Sequence, residues 1–196
     1  MMNKYNQIPI SLILESLSLT EEGIVVWGNR PQRHFSTESA YKRFRTLFLG
    51  KEFGYITESN GGRRYRAGSI NFNGKNRRLL YHVAVWVLHN GAYPCGVIDH
   101  KDGNGLNNNI ENLRDATRVQ NSRNARMRSD NTSGVNGVTW YKRTGKWRAQ
   151  GFESIDGKVV TTWLGEFDNL DSAKEARLMW EDKLGNFSQR HGIKEI

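Results

Sequence analysis

The first fifty residues divide into short apolar runs separated by polar turns. Residues 8–19 have a weak helical pattern, and Gly23–Trp27 is typical of a strand that follows a turn. Residues 36–49 are rich in helix formers and are followed by Gly50, a residue suited to end a helix. We therefore predict a short α/β lead-in, in which we find no catalytic motif.

Between residues 65 and 89 the spacing of apolar positions changes from strand-like to helical. Tyr65–Phe72 alternates loosely, Asn73-Gly74 is a strong tight-turn signal and residues 76–80 return, which predicts a hairpin. From Leu79 to His89 the apolar residues fall three and four positions apart, the spacing of a helix with a buried face. His82 lies on this helix, where a lone histidine is more often structural than functional.

The segment VIDHKDGNGLNNNIENLRDATRVQNSRN, residues 97–124, predicts strand, loop, strand and helix in that order. Val97-Ile98 is a short apolar strand, and a loop dense in turn-forming residues follows it. Residues 110–113 are compatible with a second strand. Thr117 and Gln120 fit a capping box, so a helix is predicted to begin near Thr117.

The C-terminal third has strand-like runs followed by a helical pattern. The polar, turn-rich sequence DNTSG at residues 130–134 predicts a domain boundary. Beyond it, turn signals at Thr144-Gly145 and Asp156-Gly157 separate three strand-like runs. Residues 169–184 then have a helical pattern with a small-residue face, and Gly185 is suited to end the helix.

Charge and composition narrow the range of partners. The chain of 196 residues has a net charge of +9, with 37% hydrophobic and 25% charged residues, values typical of a soluble globular protein. Residues 51–130 hold thirteen Lys/Arg against seven Asp/Glu. Because phosphate contacts supply much of the affinity for nucleic acid, this excess favours a nucleic-acid partner. A basic protein that is merely soluble has the same composition, and this alternative stays open.

Cysteine content and hydropathy predict an intracellular protein with no membrane partner. Cys95 is the single cysteine, which excludes an internal disulfide and a zinc site built from cysteines. No apolar run approaches the ~20 residues of a membrane span, and the N-terminus lacks the basic and apolar regions of a secretion signal. We therefore predict a cytoplasmic location.

Four polar side chains in residues 97–124 have the chemistry that phosphodiester hydrolysis requires. Asp99 is a hard oxygen donor for Mg²⁺ or Mn²⁺, and the adjacent His100 can take a proton from water near neutral pH. Asn112 and Asn121 offer amide oxygens, one to complete a metal site and the other to fix the imidazole. The reaction needs an activated water and a cation that stabilises charge on the phosphate. A purely structural interpretation stays open, because Asx residues also cap turns and helices.

The order of these residues resembles the HNH endonucleases of phages and group I introns. The similarity rests on His82, Asp99-His100, the sequence LNNNIENL and Asn121, and it covers roughly residues 55–125. In that family a ββα fold around one metal ion cleaves DNA. The resemblance implies that Asp99 and Asn121 are the metal ligands, that His100 is the general base and that Asn112 orients this histidine and the backbone. His82 matches a histidine common in this branch and is assigned a supporting role.

The C-terminal segment resembles the APETALA2 domain, known from plant transcription factors and phage HNH proteins. The matching residues include Lys146-Trp147-Arg148-Ala149, the sequence WLGEF at 163–167 and the helix with Ala173 and Ala176. The resemblance implies a three-stranded sheet backed by one helix, with the free face of the sheet reading DNA. Trp163 and Trp180 are predicted to be core residues instead.

Basic and aromatic side chains around both motifs are the predicted DNA contacts. Arginines beside the nuclease motif are suited to hold the scissile strand near the metal ion, although some of them only solvate a helix face in the alternative interpretation. The hairpin and the C-terminal sheet are suited to a DNA groove. The predicted contacts are Arg64, Arg66, Arg77, Arg114, Arg118, Arg123, Arg126, Trp140, Lys142, Arg143, Lys146, Trp147 and Arg148.

These predictions define an α+β protein. A lead-in over residues 1–54 precedes an HNH ββα-metal nuclease domain over 55–130, and a small three-stranded antiparallel sheet packed on one helix, APETALA2-like, follows over 131–196. The predicted function is a site-directed, homing-type DNA endonuclease with Mg²⁺ or Mn²⁺ as cofactor and double-stranded DNA as partner. Oxygen donors at both ligand positions, where many relatives outside this branch have histidine, argue against zinc.

One active site per chain favours nicking by a monomer, whereas a double-strand break would need a dimer or two sequential events. The oligomeric state, monomer or weak dimer, stays open. A phage protein in a bacterial host fits the resemblance best. Two alternatives stay open, a non-catalytic DNA-binding regulator that retains the fold and a nuclease of structured RNA. The presence of Asp99, His100, Asn112 and Asn121 together argues against the regulator.

Overall fold

The computed structural model describes residues 8–59, 62–124, 127, 130–155 and 158–185. The chain is a mixed α/β protein with several small antiparallel sheets, and it divides into two units, residues 1–116 and 117–196. The predicted division at residues 54 and 130 stays a prediction. Each unit is described by itself.

The first unit begins with a helix that is shorter than its sequence pattern suggested. α1 (Ile10–Ser16) ends where Leu17 takes extended backbone angles, and β1 (Leu17–Leu19) then pairs antiparallel with β2 (Val25–Trp27). The prediction of one helix over residues 8–19 is therefore wrong at its C-terminal end, because strand pairing overrides a weak local helix preference. The predicted strand at β2 is confirmed.

The second helix is delimited by local signals. In α2 (Glu38–Leu47) the Thr37 hydroxyl accepts a hydrogen bond from the Ala40 backbone N–H at 3.1 Å, which caps the helix N-terminus. Gly50 follows with a φ of 75°, a left-handed conformation that favours glycine. The predicted helix over residues 36–49 is confirmed within a few residues at each end.

A three-stranded antiparallel sheet contains the predicted hairpin. β4 (Arg64–Phe72) and β5 (Lys75–Leu80) join through Asn73-Gly74, where both residues have a positive φ, as a tight hairpin turn requires. β3 (Tyr55–Glu58) pairs with the other edge of β4 and was not predicted. Its side chains are largely exposed, so no buried face marks the strand in the sequence.

The core of the first unit is built around α3 (Tyr81–Asn90). Val83, Ala84 and Val87 on this helix are completely buried, and the helix packs against α1, β1, β2, β4 and β5. The Tyr81 hydroxyl accepts a hydrogen bond from the Val25 backbone N–H at 2.7 Å, which ties the first turn of α3 to β2. This anchoring holds the first turn, with its second residue His82, in the core.

The segment predicted to hold the chemistry begins as an antiparallel pair of strands. β6 (Val97–His100) pairs with β7 (Leu113–Ala116), so that Asp99 lies opposite Arg114 and His100 lies opposite Leu113. The predicted strand at residues 110–113 is displaced towards the C-terminus. Residues 110–112 instead form a 3₁₀ turn, because the Asn109 side chain accepts from the Glu111 backbone N–H at 3.0 Å.

The second unit contains one short helix and then a sheet with a longer helix. Thr117 and Gln120 form the predicted capping box, which is confirmed at the start of the short helix. In the sheet the central strand pairs antiparallel with both neighbours, and the longer helix packs on the sheet. The predicted turn at Asp156-Gly157 lies outside the described residues. The elements are α4 (Arg118–Arg123), β8 (Val138–Tyr141), β9 (Lys146–Ile155), β10 (Lys158–Phe167) and α5 (Leu170–Leu184).

Alternation along β9 sorts its side chains between the helix side of the sheet and the free face. Trp147 and Ala149 pack in the buried cluster that includes Ala173 of α5, so Arg148 lies on the opposite, free face. Trp140 lies opposite Trp147 with ring centroids 5.2 Å apart. The prediction that these two tryptophans lie on the free face is therefore wrong.

Trp163 was predicted to be a core residue, and this prediction is also wrong. Its side chain is 52% exposed, and its ring centroid lies 5.1 Å from the guanidinium carbon of Arg148. Trp163 lies opposite Gln150, a free-face residue of β9, and the register shifts only after it, between Trp163 and Gly165. Trp180 of α5 does lie against the sheet, because a Cβ on Gly151 would fall 2.4 Å from its ring.

Candidate active site

Asp99 and His100 lie together at the C-terminal end of β6, and each is only 6% exposed. The Asp99 carboxylate accepts two hydrogen bonds on Oδ2 from Arg114, from Nε at 2.9 Å and from Nη2 at 2.7 Å. The pairing follows directly from the strand register, since the two residues are cross-strand partners. A buried carboxylate therefore lies beside a positively charged guanidinium that donates two hydrogen bonds to it.

The chemistry of Asp99 fits a single hard cation. An ionised carboxylate is the preferred ligand of Mg²⁺ and Mn²⁺, and its Arg114 partner shows that this position accommodates positive charge. The neighbouring Asp102 is committed elsewhere, because it accepts hydrogen bonds from Asn104, Asn107 and Asn112. Among the residues that the structure describes, no three His, Cys, Asp or Glu side chains form a metal-binding group.

The His100 imidazole lies in a pocket of rings and one amide. The His82 ring is perpendicular to it with centroids 5.0 Å apart, and the Tyr65 ring centroid lies 6.3 Å away. His100 Nε2 lies 3.2 Å from the side-chain oxygen of Asn108. Burial lowers the pKa of His100, while Asn108, Asp102 and Asp99 oppose this shift. The imidazole is therefore neutral near neutral pH, the state in which a histidine accepts a proton.

His82 was assigned a supporting role, and the structure places it in direct ring contact with His100. It is buried, and its Nδ1 has no hydrogen-bond partner among the described residues. Burial, with a smaller contribution from the charge of His100, lowers the pKa of His82 to about 3. His82 is thus uncharged near neutral pH, and its ring forms one side of the pocket around His100.

The buried state of His82 predicts a pH-dependent stability. Its folded pKa lies below the ordinary value of 6.5, so the unfolded chain binds a proton that the folded chain excludes. The free energy of unfolding is therefore unaffected by protonation of His82 above pH 6.5. It falls by about 1.4 kcal/mol per pH unit as the pH drops from 6.5 towards 3. Urea unfolding should show that the unfolding free energy of the wild type, relative to that of His82→Leu, decreases as the pH falls.

The control for this measurement is His89→Leu, at an exposed position on the last turn of the same helix. Its unfolding free energy should follow that of the wild type at every pH. Parallel pH profiles for wild type and His82→Leu would contradict the assignment of His82 as a buried neutral group.

Asn112 lies beside the site, and its side chain braces the loop that follows β6. Its Oδ1 accepts from the Asp102 backbone N–H at 3.1 Å, and its Nδ2 donates to Asp102 Oδ1 at 2.9 Å and to the Asn107 carbonyl at 2.8 Å. The predicted role of Asn112 in orienting His100 and the backbone stays a prediction. The side chain that reaches the His100 ring is instead Asn108, which the sequence did not single out.

Most of the Asp and Asn side chains in the loop between β6 and β7 have structural roles. Asp102, Asn104 and Asn109 each accept a hydrogen bond from the backbone N–H two residues further on, the pattern of an Asx turn. Gly105 lies so close to β4 that a Cβ would fall 2.5 Å from the Arg64 carbonyl and 2.6 Å from the Tyr65 ring. The loop is thus seated on the strand that carries Tyr65.

Asn121, the second predicted metal ligand, lies on α4 of the second unit and has an exposed side chain. Its approach to Asp99 stays a prediction. The sequence did not reveal that Tyr65, Asn108 and Arg114 lie around Asp99 and His100. Their positions there depend on strand register or on the path of the loop.

The predicted DNA contacts differ in exposure and in whether they have an ion-pair partner. Arg64, Arg118, Lys142 and Arg143 are exposed, and Arg77 is half-buried. The side chain of Arg123 and all of Arg126 lie outside the described residues. The other basic residues form ion pairs: Arg66 with Glu52, Arg114 with Asp99, Lys146 with Asp168 and Arg148 with Glu166. The two remaining contacts, Trp140 and Trp147, lie on the helix side of the sheet.

Comparison with known proteins identifies the region that contains the site. The profile of a family described as HNH endonuclease matches residues 79–123. "Protein 3.8" of Escherichia phage T7 is 41% identical to this chain over 92 residues, which cover 42% of this chain and 76% of the T7 protein. No solved structure gives a significant match. Within the described residues, no helix combines the length and the apolar character needed to cross a membrane.

Proposed function

Because this chain belongs to the family of phage T7 Protein 3.8 and carries an HNH endonuclease domain at residues 79–123, we propose that it is a metal-dependent DNA endonuclease. The observation that carries the proposal is the buried pair Asp99 and His100 at the end of β6, inside the matched region. A carboxylate suited to a hard cation and a neutral imidazole lie side by side there. These are the two groups that hydrolysis of a phosphodiester requires.

In the proposed mechanism His100 is the general base. Its neutral imidazole takes a proton from a water molecule, and the water oxygen forms a bond to phosphorus while the bond from phosphorus to the 3′ oxygen breaks. Asp99 and Asn121 would hold the cation, which when bound stabilises negative charge on the phosphate and the departing oxygen. Asn112 braces the loop behind the base, and His82 excludes water from the inner side of the imidazole.

Supercoiled plasmid tests this function directly. The purified full-length chain is expected to convert supercoiled DNA to nicked circles with Mg²⁺ or Mn²⁺ and to leave it intact with excess chelator. Binding of the plasmid without cleavage under any divalent cation would favour the DNA-binding regulator. Preferential cleavage of structured RNA in a competition assay would favour an RNA nuclease.

We further propose that residues 131–196 are the DNA-holding, APETALA2-like part of a homing-type enzyme. The free face of their sheet carries Arg148 stacked over the Tyr141 ring, with the guanidinium carbon 3.3 Å from the ring centroid. The Trp163 ring centroid lies 5.1 Å from the same guanidinium carbon, and Glu166 accepts hydrogen bonds from Arg148. Exposed basic residues follow in the β8–β9 turn. A three-stranded sheet with such a face can enter a major groove.

The exposed basic pair Lys142 and Arg143 tests this role. Replacing either residue by alanine is expected to weaken duplex binding several-fold and to reduce the slope of log affinity against log salt by about 1, because one phosphate contact is lost. Fluorescence anisotropy with duplex DNA across a salt series measures both quantities. Lys183→Ala, on the exposed side of α5, is the matched control and should bind like the wild type. Unchanged salt slopes in both test variants would exclude this turn from the DNA interface.

A further inference from the structure

The orientation of the Asn108 side chain is determined by its two hydrogen-bond partners. Its Nδ2 donates to the backbone carbonyl of Leu106 at 3.1 Å. The reversed amide would bring two acceptor oxygens together, so the side-chain oxygen must be the atom that faces His100 Nε2 at 3.2 Å. An amide oxygen can only accept a hydrogen bond. The neutral imidazole must therefore carry its proton on Nε2 to satisfy this contact.

The surroundings of the imidazole keep Nε2 next to Asn108. The perpendicular ring of His82 and the tilted ring of Tyr65 contact His100 from other elements, α3 and β4. Because the imidazole is buried between these rings, turning it over would require several packed groups to move together. The same atom of His100 is thus presented to the amide throughout.

The loop that carries Asn108 is itself held in place on both sides. Gly105 allows the loop to lie flat on Tyr65, where a side chain would collide with the ring. Asn107, the neighbour in the same run of asparagines, donates to Asp102 Oδ2 at 2.7 Å. These contacts determine which of the consecutive asparagines reaches the histidine.

We propose that Asn108 is a positioning residue that holds His100 as the Nε2–H tautomer and so makes Nδ1 the atom that removes the proton from the attacking water. The proposal rests on the proposed nuclease function. When water gives up its proton, the new N–H bond forms at Nδ1 and the resulting imidazolium keeps donating its Nε2–H to Asn108. The amide oxygen thus stabilises both states of the base without exchanging a proton itself.

Ring-nitrogen NMR of the full-length protein, with ¹⁵N-labelled histidine, tests the tautomer without any cleavage assay. Five histidines contribute signals, and His100→Gln assigns the one in question. In mildly alkaline buffer the wild type is expected to show His100 with a protonated Nε2 and an unprotonated Nδ1. Asn108→Leu should shift this signal towards the other tautomer or a mixture, whereas Asn108→Asp keeps an acceptor and should preserve it. Asn107→Ser, which disturbs the loop without touching His100, is the matched control and should also preserve it.

Cleavage kinetics complete the test. Asn108→Leu is expected to lower kcat for nicking by about 10- to 100-fold with little change in KM, and Asn108→Asp to retain more of the rate, as found for partners that orient a reacting group. A protonated Nδ1 in the wild type, or a His100 signal unchanged in Asn108→Leu, overturns the proposal. So does a shifted tautomer with an unchanged kcat, which leaves the nuclease function intact. If the wild type cleaves no substrate, the proposed function is wrong, and so is the assignment of His100 as the base. The NMR experiment still shows in that case whether Asn108 determines the tautomer of His100.

Discussion

Replacing His100 with alanine is expected to lower the rate of Mg²⁺-dependent nicking by about 10³-fold, within the range typical for loss of a general base. His100 is buried beside Asp99, and its neutral imidazole can accept a proton next to the proposed cation ligand. The measurement is the rate of conversion of supercoiled to nicked plasmid under single-turnover conditions. Affinity for duplex DNA should stay within about two-fold, because the imidazole acts on water rather than on the groove.

His89→Ala is the matched control, since His89 lies exposed on the last turn of α3, away from the site, and should cleave like the wild type. Thermal unfolding of both variants separates loss of chemistry from loss of the fold. Nicking by His100→Ala at a rate close to wild type would remove His100 from the mechanism and with it the central argument for a nuclease of this type.

Replacing Asp99 with asparagine is expected to reduce nicking by about 100- to 1,000-fold at any Mg²⁺ concentration, because a neutral amide no longer holds the cation that stabilises the departing oxygen. The change keeps the shape of the side chain. It also leaves Arg114 beside a neutral partner, so the free energy of unfolding is expected to fall by about 1–3 kcal/mol. Plasmid nicking and urea unfolding measure the two effects separately.

The double variant Asp99→Asn with Arg114→Gln distinguishes catalysis from charge balance. It removes both charges of the pair, so stability is expected to recover in part while activity stays lost. Glu111→Gln, an exposed carboxylate of the same motif, is the control and should be fully active. Recovery of cleavage in the double variant would show that Asp99 serves only to neutralise Arg114, and the proposed cation site would then be wrong.

The Asp99–Arg114 pair shows that a predicted DNA contact can also have an ion-pair partner within the folded protein. Arg114 was predicted to hold the scissile strand, and in the structure its guanidinium lies on the proposed cation ligand. The other predicted DNA contacts also differ in whether their charge is already paired within the protein. Lys142 and Arg143 are exposed, whereas Arg148 is committed to Glu166 and to two aromatic rings. Exposed cations are the ones available to phosphate without first breaking a pair.

The sequence by itself determined the features whose chemistry is contained within a few consecutive residues. The turn at Asn73-Gly74, the capping box of Thr117 and Gln120 and the neighbouring pair Asp99-His100 were all predictable, because turns, caps and adjacent donors depend on local backbone preferences. The HNH character of the segment was predictable for the same reason, since its motif is a local spacing, and the family match at residues 79–123 confirms it.

Only the tertiary structure decided which side chains meet. Four asparagines between residues 104 and 109 are chemically equivalent in the sequence, yet the path of the loop brings Asn108 alone of them to the His100 ring. Strand register placed Arg114 opposite Asp99, and it placed Trp163 opposite Gln150 on the free face of the sheet. A displacement of one residue reverses the face of every side chain that follows in a strand. Such contacts depend on the cumulative geometry of many residues, which no local pattern encodes.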